Sequence, residues 1–182
     1  MTKSIMLVGV GGQGTILASK LLTIGLMQEG YDVKMSEIHG MSQRGGSVSS
    51  QIRYSKDKVY SPVIEIGGAD MIVSFEKVEA LRYLKYLKEG GIIVANNYKM
   101  ESVATTTGKA EYKVAEVDEK LKELHAKVIN AADKAVELGN EKVMNIILLG
   151  TVIKGMHLEE IDWEQIIRDN VKEKFIDINI RA

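Results

Sequence analysis

The feature that most constrains this chain is a short apolar run, Ser4–Val10, that ends in Gly9-Val10-Gly11-Gly12-Gln13-Gly14 and passes directly into a helical pattern. The run is too brief for a helix and is bounded by glycine, which predicts a strand buried on both faces, as a parallel sheet requires. From Thr15 the residues Ile16, Leu17, Leu21, Ile24 and Met27 recur at helical spacing, and Gly30 is placed to stop the helix in a left-handed turn. Strand, glycine turn and helix in that order give G-x-G-x-x-G the context in which it has meaning. A turn without side chains takes up positive φ and brings backbone N–H groups close to an anion, to which the helix N-terminus adds partial positive charge.

Gly9, Gly11, Gly12 and Gly14 are therefore candidate ligand contacts, and Gln13 either joins them or caps an N–H at the helix start. A dinucleotide reading also needs an acid roughly 20 positions further on, at the end of the second strand, to bond ribose hydroxyls. Glu37, in the strand predicted over Tyr31–Ile38, fills that place and completes a βαβ unit. The competing reading is that the glycines only permit a tight turn and close packing of helix on strand.

A second glycine-rich station, His39-Gly40-Met41-Ser42-Gln43-Arg44-Gly45-Gly46, follows that strand at once, at the carboxyl end of the sheet where ligand crevices form in α/β folds. Arg44 offers a planar fork for carboxylate or phosphate, and Gly45 and Gly46 let the chain pass close to another surface. His39 can donate to an oxygen or titrate near neutral pH. The plainer alternative is that His39 and Gln43 satisfy buried backbone groups and Arg44 makes a structural ion pair.

Beyond this station the pattern changes, then resumes. SVSSQIRYS and KVYSPVI within Gly46–Val63 read as an antiparallel hairpin, and Pro62, the only proline, places it at a sheet edge. Ala69–Phe75 predicts another buried strand, Glu76–Lys88 an amphipathic helix, and Ile92–Asn96 a strand after a break at Gly90-Gly91. A Thr-rich piece over Ser102–Gly108, a strand over Tyr112–Val117, a helix over Asp118–His125 and a strand over Val128–Ala131 are the expectations for the middle. Glu141–Lys154 predicts a helix apolar nearly all round, with Asn145 an amide that must find a partner. Leu158–Asp169 predicts an amphipathic helix, and Phe175–Ile180 alternates apolar and polar residues. The fold class is α/β, a mostly parallel sheet with an antiparallel hairpin insertion, and 182 residues fit a single domain, 1–182.

Composition removes several function classes. Twenty-four basic residues against twenty-five acidic give a net charge of −1, with no bulk attraction to nucleic acid or an anionic membrane. No apolar run approaches the ~20 residues of a membrane span, and the amino terminus shows no secretory pattern, so the expected setting is the cytoplasm. Cysteine is absent, which excludes a thiolate nucleophile, a disulfide and a cysteine-ligated cluster in this polypeptide. The three histidines, His39, His125 and His157, lack metal-ligand spacing.

GVGGQGTILASKLL, SEIHGMSQRGGSVSSQIR, KVYSPVI and ELGNEKVMNIILLG together resemble the gamma subunit or gamma domain of 2-oxoacid:ferredoxin oxidoreductases, and HGMSQRGG resembles the indolepyruvate branch, where this unit is the beta subunit. The resemblance covers most of the chain and is weakest across Tyr98–Lys127. It implies a three-layer Rossmann-like domain that joins a large alpha subunit carrying thiamine diphosphate, magnesium and iron–sulfur clusters, with no cofactor on this chain alone. The implied reaction is oxidative decarboxylation of an arylpyruvate with coenzyme A, a step of amino-acid degradation in anaerobic metabolism that passes electrons to ferredoxin. Absence of cysteine and of a Gly-Asp-Gly diphosphate segment agrees with that division of labour and predicts an isolated chain without activity. Within the resemblance, the Gly9–Gly14 loop and the Arg44 station are expected to face the large subunit near the thiamine site or to help accommodate coenzyme A. The alternatives are a gamma subunit for pyruvate, 2-oxoisovalerate or 2-oxoglutarate, an independent NAD(P)-binding oxidoreductase with Glu37 at the ribose, and a pure assembly subunit.

Overall fold

A computed structural model describes residues 1–40, 45–100 and 114–182. Its centre is a six-stranded sheet in the order β2-β3-β1-β4-β5-β6. The strands are β1 (Lys3–Val10), β2 (Asp32–His39), β3 (Ser47–Ser55), β4 (Ala69–Ser74), β5 (Leu87–Asn96) and β6 (Lys127–Ile129). β1, β4, β5 and β6 pair in parallel, whereas β3 runs antiparallel to both β1 and β2. The helices are α1 (Thr15–Gln28), α2 (Lys77–Arg82), α3 (Val114–Glu123), α4 (Ala131–Glu137), α5 (Met144–Met156), α6 (Trp163–Asn170) and α7 (Ile176–Arg181).

Alternation along the central strands builds three layers. Ile5, Leu7, Met71, Val73 and Val94 point to one face, where they pack with Leu21, Leu22 and Leu26 of α1 and Leu148, Leu149 and Val152 of α5. Met6, Val8 and Ile72 point to the other, and Ile93 and Ala95 meet Ala80 of α2 and Val117 and Leu121 of α3 there. Each fully buried aliphatic side chain contributes about 1.5–3 kcal/mol, so these two-sided strands dominate stability. Gly25 lets α6 close on α1, since a Cβ there would lie 2.6 Å from the Trp163 ring. No helix among the described residues is long and apolar enough to cross a membrane.

The antiparallel element is present, but its partners differ from those the sequence predicts. β3 pairs with β2 and β1 in the interior of the sheet, and the KVYSPVI segment does not form its second strand. Side chains explain this. Gln51 Oε1 accepts the Ile64 N–H at 2.7 Å, Arg53 donates to the Val63 carbonyl at 3.0 Å, and Asp32 accepts the Val59 N–H at 2.8 Å. These bonds hold the segment while Val59 and Ile64 are buried. One consequence is that β2, although parallel to β1, is separated from it by a strand.

Other boundaries shift for local reasons. The helix expected over Glu76–Lys88 stops at Arg82, passes through a 3₁₀ turn at Leu84–Tyr86, and yields Leu87 to β5, where it pairs with Ala69. Gly90 and Gly91 form an irregularity inside β5, Gly90 at φ +73° and Gly91 with no room for a Cβ, after which Ile92 pairs with Met71. The strand expected over Tyr112–Val117 is helix from Val114 onward, continuous with the predicted helix that follows. Its first two residues and the Thr-rich piece lie outside the described residues. The helix expected over Leu158–Asp169 begins at Trp163, where Asp162 accepts the Gln165 N–H as N-cap. The alternating tail is helical in α7.

Candidate functional site

The carboxyl ends of β1, β4, β5 and β6 define one rim of the sheet, and the amino ends define the other. At the first rim the glycine loop leaves β1 and turns into α1, with Gly12 at φ +105° and Gly14 at φ +83° as the N-cap. Both conformations are ones that L side chains rarely adopt. Gly9 serves close approach instead: a Cβ there would lie 2.7 Å from Gln13 Oε1 and 2.9 Å from Phe75 Cβ. Gln13 is buried, its Oε1 accepting the Val10 N–H at 2.7 Å and its Nε2 donating to the Phe75 carbonyl at 3.1 Å. Both ends of its amide are spent inside the chain.

The second station lies beside the first. Gly11 donates its N–H to the Gly46 carbonyl at 2.8 Å, and Gly45 donates to the Gly11 carbonyl at 3.5 Å. Gly45 is at φ +79°, and Gly40 donates to the Ser47 carbonyl at 2.9 Å. Gln43 and Arg44 lie outside the described residues. His39 closes β2 at the same rim, exposed, with Nε2 3.8 Å from Glu37 Oε2.

Glu37 lies on the outermost strand, β2. With β3 between β1 and β2, it is displaced from the glycine loop by about one further strand spacing, ~4.8 Å. Its Oε1 accepts a hydrogen bond from Ser19 of α1 at 3.1 Å. That arrangement fastens the outer strand to the helix.

Several residues of the rim were not singled out from sequence. Asn96, fully buried at the end of β5, donates to the Phe75 carbonyl at 3.3 Å and accepts the Ala131 N–H that opens α4 at 3.0 Å. The signal was there: an amide closing the apolar run IIVA occupies the same kind of carboxyl-end position that drew attention to His39. Ser47, opening β3, donates to Glu79 of α2 and lies 3.2 Å from the Tyr83 hydroxyl, and Arg82 donates to the same carboxylate at 2.9 Å. Asn145, which the sequence does single out, donates to the Gly14 carbonyl at 3.3 Å, so this amide in an apolar helix steadies the loop.

Three shallow depressions meet at Gly12. One of about 480 Å³ lies toward His39, Ile16 and Val48, one of about 400 Å³ toward Tyr98, Met100 and Lys142, and one of about 330 Å³ toward Leu17, Asn145 and Phe175. Large apolar side chains flank the loop in the open: Ile16 is 51% exposed, Ile38 54% and Val136 58%. The rim thus presents bare backbone at its centre and apolar side chains around it, a surface suited to being covered. No group of three or more His, Cys, Asp or Glu side chains placed to hold a metal ion occurs among the described residues.

Comparison with known proteins places the chain in a family. The chain is 39% identical to indolepyruvate oxidoreductase subunit IorB of Thermococcus kodakarensis, over 98% of this chain and 91% of that one. It is 38% identical to the protein of the same name from Pyrococcus horikoshii over the same shares. Among solved structures, pyruvate oxidoreductase subunit PORC from Thermotoga maritima has the same fold, with a TM-score of 0.71 at 20% identity, covering 99% of this chain and 92% of that one. The family model described as pyruvate ferredoxin/flavodoxin oxidoreductase matches residues 4–182. With its glycine loop, mixed sheet and near-complete match, the chain belongs to the pyruvate ferredoxin/flavodoxin oxidoreductase family.

Proposed function

We propose that this chain is the small subunit of an indolepyruvate-type 2-oxoacid:ferredoxin oxidoreductase, acting in the cytoplasm as one part of a complex with a larger subunit. The observation that carries the reading is near-full-length identity of 38–39% to subunits named for indolepyruvate, and HGMSQRGG supports the same branch. In this reading an arylpyruvate loses its carboxyl group as carbon dioxide, the remaining acyl group passes to the thiol of coenzyme A, and two electrons leave one at a time to ferredoxin. Thiamine diphosphate, magnesium and iron–sulfur clusters reside on the large subunit. A chain with no cysteine has no thiolate ligand for such a cluster.

The role of this chain is then to complete the complex with its carboxyl rim. Gly11, Gly12, Gly14, Gly45 and Gly46 supply surface without side chains, buried Gly9 lets the loop pack on Gln13 and Phe75, and Ile16 and Ile38 supply apolar flank. Arg44, in the second station, is the group best suited to a carboxylate or phosphate that meets this rim. His39 closes β2 at this rim, and Gln43 precedes Arg44 in the sequence. Glu37, tied to Ser19, favours a structural part over a ribose contact.

The test is co-expression with the large subunit, followed by oxoacid- and coenzyme A-dependent reduction of a viologen dye. The complex is expected to use indolepyruvate or phenylpyruvate in preference to pyruvate, with this chain alone inactive. Preference for pyruvate would move the assignment to another branch of the family, and turnover by the isolated chain would end the subunit reading.

A further inference from the structure

Two buried amides at the carboxyl rim share one acceptor. Gln13 Nε2 lies 3.1 Å and Asn96 Nδ2 3.3 Å from the Phe75 carbonyl oxygen. The other end of each is also engaged: Gln13 Oε1 takes the Val10 N–H at 2.7 Å, and Asn96 Oδ1 takes the Ala131 N–H at 3.0 Å. Phe75 in turn donates its own N–H to the Val8 carbonyl at 2.8 Å. Followed in order, these bonds run from the end of β1 through the end of β4 and the end of β5 to the first residue of α4. Gln13 is 8% exposed, Asn96 and Phe75 are fully buried, and Gly9 leaves the space the Gln13 amide fills.

We infer that Gln13 and Asn96 are positioning residues that fix the glycine loop, and Gly12 at its apex, in one place on the rim. This rests on the reading that the rim meets the large subunit. Both polar ends of each side chain are bonded to backbone, and it is through that backbone that they act. A carbonyl accepting two amide donors in a dry site couples its donors, because loosening one changes the placement of the other. A loop displaced by about 1 Å at an assembled site is enough to lower turnover by 10-fold or more. In that reading the exposed Ile16 and Ile38 make the contact, and neither is bonded to these amides.

The complex carrying Gln13→Ala is expected to assemble as the parent does and to lose about 10-fold in kcat with little change in KM. Asn96→Ala should behave alike. The double variant should lose more than the product of the single losses, since each single change leaves the Phe75 oxygen one donor and the pair leaves it none. Parent-like kcat in the assembled Gln13→Ala complex, or losses that simply multiply, would overturn the inference. Asn96→Asp provides a harsher arm, keeping the acceptor for Ala131 while setting a buried carboxylate against the Phe75 carbonyl oxygen. In the full chain, amide exchange at Val10 should quicken several-fold in that variant, and unchanged exchange at Val10 would break the chain of bonds proposed. Ile16→Glu separates the two levels: normal assembly of that variant would count against the rim as the contact face, whatever the amide variants do.

Discussion

The two rims of the sheet are held together by different chemistry. At the amino rim the fastenings are charged and partly open to water: Lys3 and Lys88 lie 3.6 and 3.3 Å from Asp70, and Lys34 bonds Asp32 at 2.8 Å. At the carboxyl rim buried amides are added to charged groups: Gln13, Asn96 and Asn145 bond the backbone, beside the Glu79 carboxylate that takes Ser47 and Arg82. Ion pairs with half-exposed lysines suit a surface that stays in solvent, where they contribute little and cost little. Buried amides that bond the backbone, Gln13 and Asn96 through both ends and Asn145 through its nitrogen, surrounded by exposed Ile16, Ile38 and Val136, suit a surface that another polypeptide will dry. In the proposed function the carboxyl rim is the contact face and the amino rim stays in solvent.

The sharpest way to break the comparison is substitution in the glycine loop. Gly9→Val should destabilise the chain by about 1–3 kcal/mol or more, because its Cβ would collide with Gln13 and with fully buried Phe75. Gly14→Ala adds about 1–2 kcal/mol of backbone strain at φ +83°, and its Cβ would lie 2.7 Å from Asn145 Nδ2. Both should appear as lowered midpoints in thermal or denaturant unfolding, with the valine variant lower. Unchanged midpoints would mean the loop is not packed as described.

At the amino rim, Asp70→Asn should cost no more than about 1 kcal/mol, since the lysines involved are about half exposed and the Ser4 N–H keeps an acceptor. The difference should shrink in high salt, and turnover of the complex should not move. A large loss of turnover would blur the distinction between rims. The smallest effect concerns Asp32. The Lys34 ammonium bonded to it, together with the Val59 N–H, holds its carboxyl below the usual carboxylate range. A carboxylate depressed by folding stabilises above its unfolded pKa of about 3.9, and that contribution is lost as the pH falls through the lower folded value. Amide exchange at Val59, corrected for its intrinsic pH dependence, should therefore gain an acid-dependent opening that Asp32→Asn removes.

Much of this architecture was legible in the chain because its signals are local. Ser4–Val10 and Ala69–Phe75 are runs buried on both sides, and a glycine turn followed by helical spacing has few other meanings. The position of β3 was not legible, since SVSSQIRYS alternates as well beside β1 as beside KVYSPVI. The choice between them rests on Gln51, Arg53 and Asp32 reaching backbone groups 10 to 27 residues away. For the same reason Glu37 kept the right spacing for a ribose contact while β3 moved it outward. At the site the sequence leaves ligand contact and tight-turn packing both open, because a glycine loop serves either. That Gln13 turns inward depends on where the Phe75 carbonyl ends, which only the packed sheet determines.

The central claim, that the carboxyl rim is the face covered in the complex, is tested most directly by amide hydrogen exchange of the chain free and bound to the large subunit. Peptides covering residues 9–17 and 36–48 should exchange markedly more slowly in the complex, while those covering residues 86–92 at the amino rim stay as they were. Protection at residues 86–92 with none at residues 9–17 would contradict the account.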